Sequence, residues 1–174
     1  EEGLEGAILQ MVNHGLSTGA LFLLVGMVYE RRHTREIAAF GGIARPMPVF
    51  ALLFGIVAMS SIGLPGLNGF VGEFAILLGA FGSEAVGSPW YAGLAALGVI
   101  LAAIYMLYMF QKIFLGPTDK PENQMLRDLN AREVITLVPL IVLIFWIGLY
   151  PKPFFDLMAP SVGRLVAALQ TASI

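Results

Sequence analysis

Residues 48–83, "PVFALLFGIVAMSSIGLPGLNGFVGEFAILLGAFGS", form a run of roughly 35 residues that holds a single ionisable side chain, Glu73. As one helix at about 1.5 Å per residue it would be about 53 Å long, well beyond a bilayer hydrocarbon core of about 30 Å. Two complete crossings would need about 40 residues and a turn between them. The arrangement that fits is one crossing built from two half-helices joined by unwound chain, and Gly63, Pro65, Gly66, Gly69 and Gly72 fall where the break is needed. Unwound backbone at membrane depth survives only where protein or water satisfies its polar groups, so a polar cavity is expected beside the break.

The rest of the chain is consistent with a bilayer environment. It is 57% hydrophobic and 13% charged, with a mean hydropathy of +0.81, too apolar for an ordinary water-soluble domain. Three further apolar blocks, at about 4–29, 90–114 and 134–150, are each of single-span length. No strict alternation over segments of about 10 residues appears, which argues against a membrane barrel. The expected fold is therefore an all-α, polytopic helix bundle with four transmembrane crossings, the second discontinuous. The opening "EEGLEG" has neither an initiator Met nor the basic n-region of a signal peptide, and is read as the start of a piece of a longer chain.

Basic residues set the expected orientation. Arg31, Arg32, Arg35 and Arg45 lie between the first two blocks, and Lys112, Lys120, Arg127 and Arg132 between the last two. With four crossings these connections share one side, which the positive-inside rule makes cytoplasmic. The opposite connection, "GSEAVGSP", carries only Glu84, read as a loop residue. Asn130, three residues before Glu133, is expected to start the last spanning helix with a capping box. Beyond Pro151 and Pro153, residues 152–174 are expected to form an amphipathic interfacial helix, with Phe154, Phe155, Leu157, Val162, Leu165 and Leu169 toward the bilayer boundary.

Within this frame few side chains can carry chemistry. An ionised carboxylate at membrane depth costs about 2.5–3.5 kcal/mol on insertion scales, so Glu73 is a functional candidate by default; the structural alternative is that it only satisfies backbone groups at the break. Near a helix start, the positive helix end favours the carboxylate while burial favours the neutral acid. Such opposed influences suit a group that exchanges a proton. In the first block Gln10, Asn13, His14, Ser17 and Thr18 follow helical spacing and form a polar stripe expected to face the protein interior. His14, with an unperturbed pKa near 6.5, is the second candidate carrier, against the alternative of a packed histidine on a helix whose Ser and Thr serve packing. His33 lies in a basic loop, and Tyr105 and Tyr108 are read as packing residues. There is no phosphate loop, no metal-ligand pair at helical spacing and no nucleophile with a base. The absence of cysteine excludes disulfides and cysteine-ligated iron–sulfur clusters within this chain. A net charge of −2 gives no reason to expect nucleic acid.

"QMVNHGLSTGALFLLVGMVYERRHTREI", "GGIARPMP" and "GLPGLNGFVGEFAILLGAF" together resemble the C-terminal third of the antiporter-like subunit M (chain 4) family of proton-pumping NADH:quinone oxidoreductase, respiratory complex I. The resemblance implies that Glu73 is a proton-transfer residue on a discontinuous helix and that His14 lies on a central hydrated axis. The family's glutamate–lysine pair and further lysine, on earlier helices, have no counterpart here, so the segment would hold the exit half of a proton path. It further implies neighbouring antiporter-like subunits and lipid as partners, flavin, iron–sulfur clusters and quinone in partner subunits with no cofactor in this chain, and a bacterial inner membrane or an organelle inner membrane as location. Two other readings are a multisubunit sodium/proton antiporter, in which a lysine is more typical at position 73, and a passive membrane scaffold. "YERRHTR" with "GEF" favours complex I.

Overall fold

The computed structural model of the 174-residue chain describes residues 1–83 and 88–172, which leaves Glu84 outside. The first helix, α1 (Glu2–Arg32), carries Glu2 and Glu5 in its first turn and Arg31 and Arg32 in its last, charges that complement the helix dipole at both ends. His33 closes it in a left-handed conformation (φ +51°), donating its backbone N–H to Tyr29 O. This gives the basic-loop histidine a capping position. A 3-10 turn at Ile37–Ala39 leads into α2 (Pro48–Ser61), and after residues 62–67 the chain resumes as α3 (Asn68–Phe81). The order is completed by α4 (Trp90–Phe114), a single turn α5 (Pro121–Gln124), α6 (Ala131–Leu149) and α7 (Lys152–Ala172). No strand occurs among the described residues. α1, α4 and α6 are long and apolar enough to cross a membrane, whereas α2 and α3, of 14 residues each, are shorter.

The two short helices share one long neighbour. Going up α1, Gly3 lies against Gly79, Gly6 against Ala75, Gln10 against Gly72, Asn13 against Asn68 and Ser17 against Ser60. α1 is therefore antiparallel to both, with α3 along its first half and α2 along its second. Glycine makes the approach of α1 and α3 close: a Cβ on Gly6 would stand 2.7 Å from Ala75 Cβ. Small residues of this kind bring helix backbones together where lipid removes the hydrophobic drive for association. Between α2 and α3, Gly63 (φ +75°) and Gly66 (φ +94°) take backbone conformations that L-residues seldom adopt. Gly69 and Gly72, expected in the break, lie inside α3 and serve close approach instead.

One end of the bundle is knitted by its two basic connections. Gly42, Ile43 and Ala44 donate backbone N–H groups to Leu115, Ile113 and Phe114 carbonyls at 3.1–3.2 Å. Thr118 donates to Gly42 O at 2.8 Å, and Lys120 Nζ to the carbonyls of Ala38 and Phe40. Both Asp128 carboxylate oxygens cap α2 from another segment, accepting from Val49 N–H (2.8 Å) and Phe50 N–H (3.0 Å). The N-cap residue of α2 is Met47, whose side chain makes no cap, so α2 has no side-chain cap of its own. Arg31 and Lys120 thus lie at the same end. Beneath this end Phe50, Phe54, Phe110 and Phe114 form an aromatic cluster with ring centroids as close as 4.6 Å.

The expected capping box of Asn130 and Glu133 is present, and Glu133 does more than cap. Its carboxylate takes a two-pronged ion pair from Arg31, both contacts at 2.7 Å, with the two side chains only 17% and 13% exposed. Arg31 also donates to the carbonyls of Met27, Arg127 and Asp128, so one guanidinium ties the end of α1 to the start of α6. Replacing Arg31 by Met leaves Glu133 and three carbonyls short of a donor. The expected cost is about 3 kcal/mol, read as a lower thermal transition of the detergent-solubilised protein. An unchanged transition would show that the pair contributes nothing.

α7 is one continuous helix. Phe154, Phe155 and Val162 turn toward the bundle, with Phe154 edge-on to Trp146, while Leu157, Leu165 and Leu169 are exposed. Half of the apolar stripe expected to face a bilayer boundary is therefore used for packing.

Candidate functional site

Glu73 lies in the second turn of α3, five residues beyond its first residue, Asn68. Helix side chains lean toward the N-terminus, so its carboxyl reaches back over the break. Oε1 accepts a hydrogen bond from Gln10 Nε2 at 3.1 Å. Oε2 faces Gly63, where a Cβ would stand only 2.7 Å away. Gly63 therefore serves twice: it supplies the positive φ of the turn and leaves room for the carboxyl. The side chain is half-buried.

Behind Gln10 runs a chain of buried polar groups. Asn13 Nδ2 donates to Gln10 Oε1 (3.2 Å) and to the main-chain oxygen of Asn68 (2.7 Å). Asn68 Nδ2 donates in turn to Asn13 Oδ1 (3.2 Å), and Ser60 Oγ donates to Asn68 Oδ1 (2.5 Å). Ser17 and Ser60 hydroxyls meet at 2.7 Å. With the Ser60 proton committed to Asn68, Ser17 is the donor in that contact. Asn13, Ser17, Ser60 and Asn68 are at most 4% exposed, and partnering spares each the penalty of an unmet buried polar group. Gln10, Asn13 and Ser17 of α1 thereby join the end of α2, through Ser60, to the start of α3, through Asn68.

The expected polar stripe of α1 is in fact two lines. Gln10, Asn13 and Ser17 face α2 and α3, whereas His14 and Thr18, about 100° further round, face outward. His14 is exposed, and among the described residues its ring is within hydrogen-bond reach of Thr18 Oγ1, at 3.3 and 3.5 Å. The structure does not join it to the Glu73 chain. Two grooves that reach the break are lined mainly by apolar side chains such as Ala51, Leu64, Leu67, Phe70 and Leu149. Several of the break's N–H groups are met within the chain: Gly63 N–H by Ser60 O (3.2 Å), Leu64 N–H by Met59 O (3.0 Å), Leu67 N–H by Leu64 O (3.1 Å). Among the described residues no group of three or more His, Cys, Asp or Glu is placed to hold a metal ion.

Two members of the chain, Ser60 and Asn68, were not expected. The signal was present, because within residues 48–83 Asn68 is the only side-chain amide, and what marks Glu73 in an apolar run marks it too.

Fold and site together define a helical module with helices of membrane-crossing length, in which a half-buried acid is held across an interruption between two apolar helices. The chain belongs to the NADH:quinone oxidoreductase/Mrp antiporter transmembrane family, whose model matches residues 1–104. It is 44% identical over 166 residues to NADH-quinone oxidoreductase subunit M of Rhodobacter capsulatus, covering 95% of this chain and 32% of that protein. It is 43% identical over 167 residues to NADH-ubiquinone oxidoreductase chain 4 of Marchantia polymorpha, again over 95% of this chain and 32% of the relative. Among solved structures, a chain of respiratory complex I from Thermus thermophilus with bound NADH superposes with a TM-score of 0.77 at 40% identity, covering 88% of this chain and 31% of that one. A chain of an archaeal membrane-bound sulfane sulfur reductase superposes with a TM-score of 0.78 at 25% identity, covering 92% and 31%. The chain thus spans about a third of the length of the relatives it matches.

Proposed function

We propose that this chain is the C-terminal portion of a subunit M-type membrane subunit of NADH:quinone oxidoreductase, carrying part of a proton path driven by redox chemistry in other subunits. The observation that carries the reading is Glu73 itself: an ionisable group in an apolar run, hydrogen-bonded on one oxygen and facing an interruption on the other. The resemblance to proteins named subunit M and chain 4 over 95% of the chain supports the same assignment. A carboxyl so held can take up and release a proton without moving the helices around it. In this reading α2 and α3, each about 21 Å long, together make one crossing beside α1, since neither alone reaches across about 30 Å of hydrocarbon. α4 and α6 make two more, the knitted basic end is cytoplasmic, and α7 lies at the opposite interface. His14, on the outward line of α1, takes protons from the face beyond this bundle and exchanges with Glu73 through water.

Flavin, iron–sulfur clusters and quinone belong to partner subunits, and the many exposed apolar side chains of α4, such as Leu94, Leu101 and Ile104, face lipid or a neighbouring subunit. The location is a bacterial inner membrane or its organelle equivalent. The family description also covers Mrp antiporters. Glu73, where antiporter subunits more typically carry lysine, weighs toward the oxidoreductase. Purifying the full-length protein from native membranes through an affinity tag tests this. Flavin and iron–sulfur absorbance should copurify with it, whereas a stable assembly lacking both would place it among the antiporters.

A further inference from the structure

The amide chain behind Glu73 has a direction, and one fixed point sets it. The main-chain oxygen of Asn68 can only accept, and Asn13 Nδ2 donates to it at 2.7 Å, which fixes which end of the Asn13 amide is nitrogen. Asn13 Oδ1 must then accept from Asn68 Nδ2 (3.2 Å), and Asn68 Oδ1 from Ser60 (2.5 Å). On the other side Gln10 Oε1 accepts from Asn13 Nδ2 (3.2 Å), so the group Gln10 offers to Glu73 Oε1 is its NH₂, at 3.1 Å. Turning Gln10 over would set its nitrogen against that of Asn13, two donors facing each other. Every link from Ser17 onward therefore donates toward the carboxyl.

An amide N–H cannot accept a proton, so Glu73 Oε1 must be an acceptor whether the acid is charged or neutral. We propose that Gln10, Asn13 and Asn68 are positioning residues that fix Oε1 as the carbonyl oxygen of Glu73 and leave Oε2, facing Gly63 in the interruption between α2 and α3, as the oxygen that gains and loses the proton. The amide chain does not itself conduct, because passing a proton along it would require each amide to rearrange to its imidic acid form. Proton exchange with Glu73 therefore takes place at Oε2 and not along the amides. This inference rests on Glu73 being a proton carrier, and its test separates the two ideas.

The test is infrared difference spectroscopy of the assembled complex between redox states, with the Glu73 carboxyl C=O band assigned by its loss in Glu73→Gln. In Gln10→Met, which keeps the length but not the donor, that band is expected to move to higher wavenumber, because the carbonyl oxygen loses its hydrogen bond. NADH oxidation per assembled complex is expected to fall by up to about tenfold. Should Gln10→Met not assemble, Gln10→Asn, one methylene too short to reach, is expected to give the same upward move. A band that appears but stays in place would show that the proton sits on Oε1 and overturn the inference while leaving Glu73 a carrier. No Glu73 band in the wild type would overturn the carrier reading and this inference with it.

Discussion

Gly69→Val is expected to remove the subunit from assembled complex almost completely. A Cβ at Gly69 would overlap the main-chain oxygen of Ser60, an atom held in place by accepting the Gly63 N–H at 3.2 Å. Backbone at the last turn of α2 cannot yield as the tip of a flexible side chain can, so the start of α3 must be displaced. That displacement breaks the Ser60–Asn68 bond at 2.5 Å and the Asn13–Asn68 contacts, leaving buried polar groups without partners. Overpacking and lost hydrogen bonds together come to about 4 kcal/mol or more, comparable with the whole stability of many domains. Gly98→Ala in α4 is the matched control, because a Cβ there meets nothing within 4 Å among the described residues. Its stability should change by no more than about 1 kcal/mol, in the favourable direction. Quantifying subunit in membranes of both variants checks the pair; normal assembly of Gly69→Val would show that the α2–α3 junction is looser than described.

How much of this was readable in the residues depends on the range of the interaction. Helix ends are set by local chemistry, and Asn130 with Glu133 marked the start of α6 before any contact was known. That a helix ends near Ser61 and another begins at Asn68 was readable for a similar reason, since a cluster of helix-breaking residues is a sequence property; that the two make one crossing belongs to the proposed function. Which glycines turn the chain and which allow close approach was not readable. Gly63 and Gly66 take positive φ, whereas Gly69 and Gly72 are helical and sit against Ser60 and Gln10 of other helices, and nothing local in the sequence separates the two kinds.

The polar face of α1 shows the same boundary. Helical spacing placed five polar residues near one another but could not say where the contact with α3 is centred. The contact runs along Gln10, Asn13 and Ser17, and His14, one residue from Asn13, falls on the other side of it. The Arg31–Glu133 pair and the Asp128 cap on α2 join residues roughly 80 to 100 positions apart. Basic loops told which connections share an end, but not which charges meet there. Asn68 is a different case, since a lone amide in the same apolar run is itself a signal, weaker than that of an ionisable acid, and only its role in reaching α1 needed the structure.

The central claim is that Glu73 changes protonation as the complex turns over, and the most direct measurement follows protons moved and NADH oxidised together in sealed vesicles containing assembled complex. Glu73→Gln keeps the size of the side chain and, through its carbonyl, can still accept from Gln10, yet it cannot titrate. Both rates are expected to fall about tenfold or more at equal assembly, because they are coupled and one carrier has been removed. Glu73→Asp retains a titratable group but is one methylene short of Gln10, and should fall between wild type and Gln. Wild-type rates in the Gln variant, with an unchanged number of protons moved per NADH oxidised, would contradict the claim and leave Glu73 as a structural member of the polar chain.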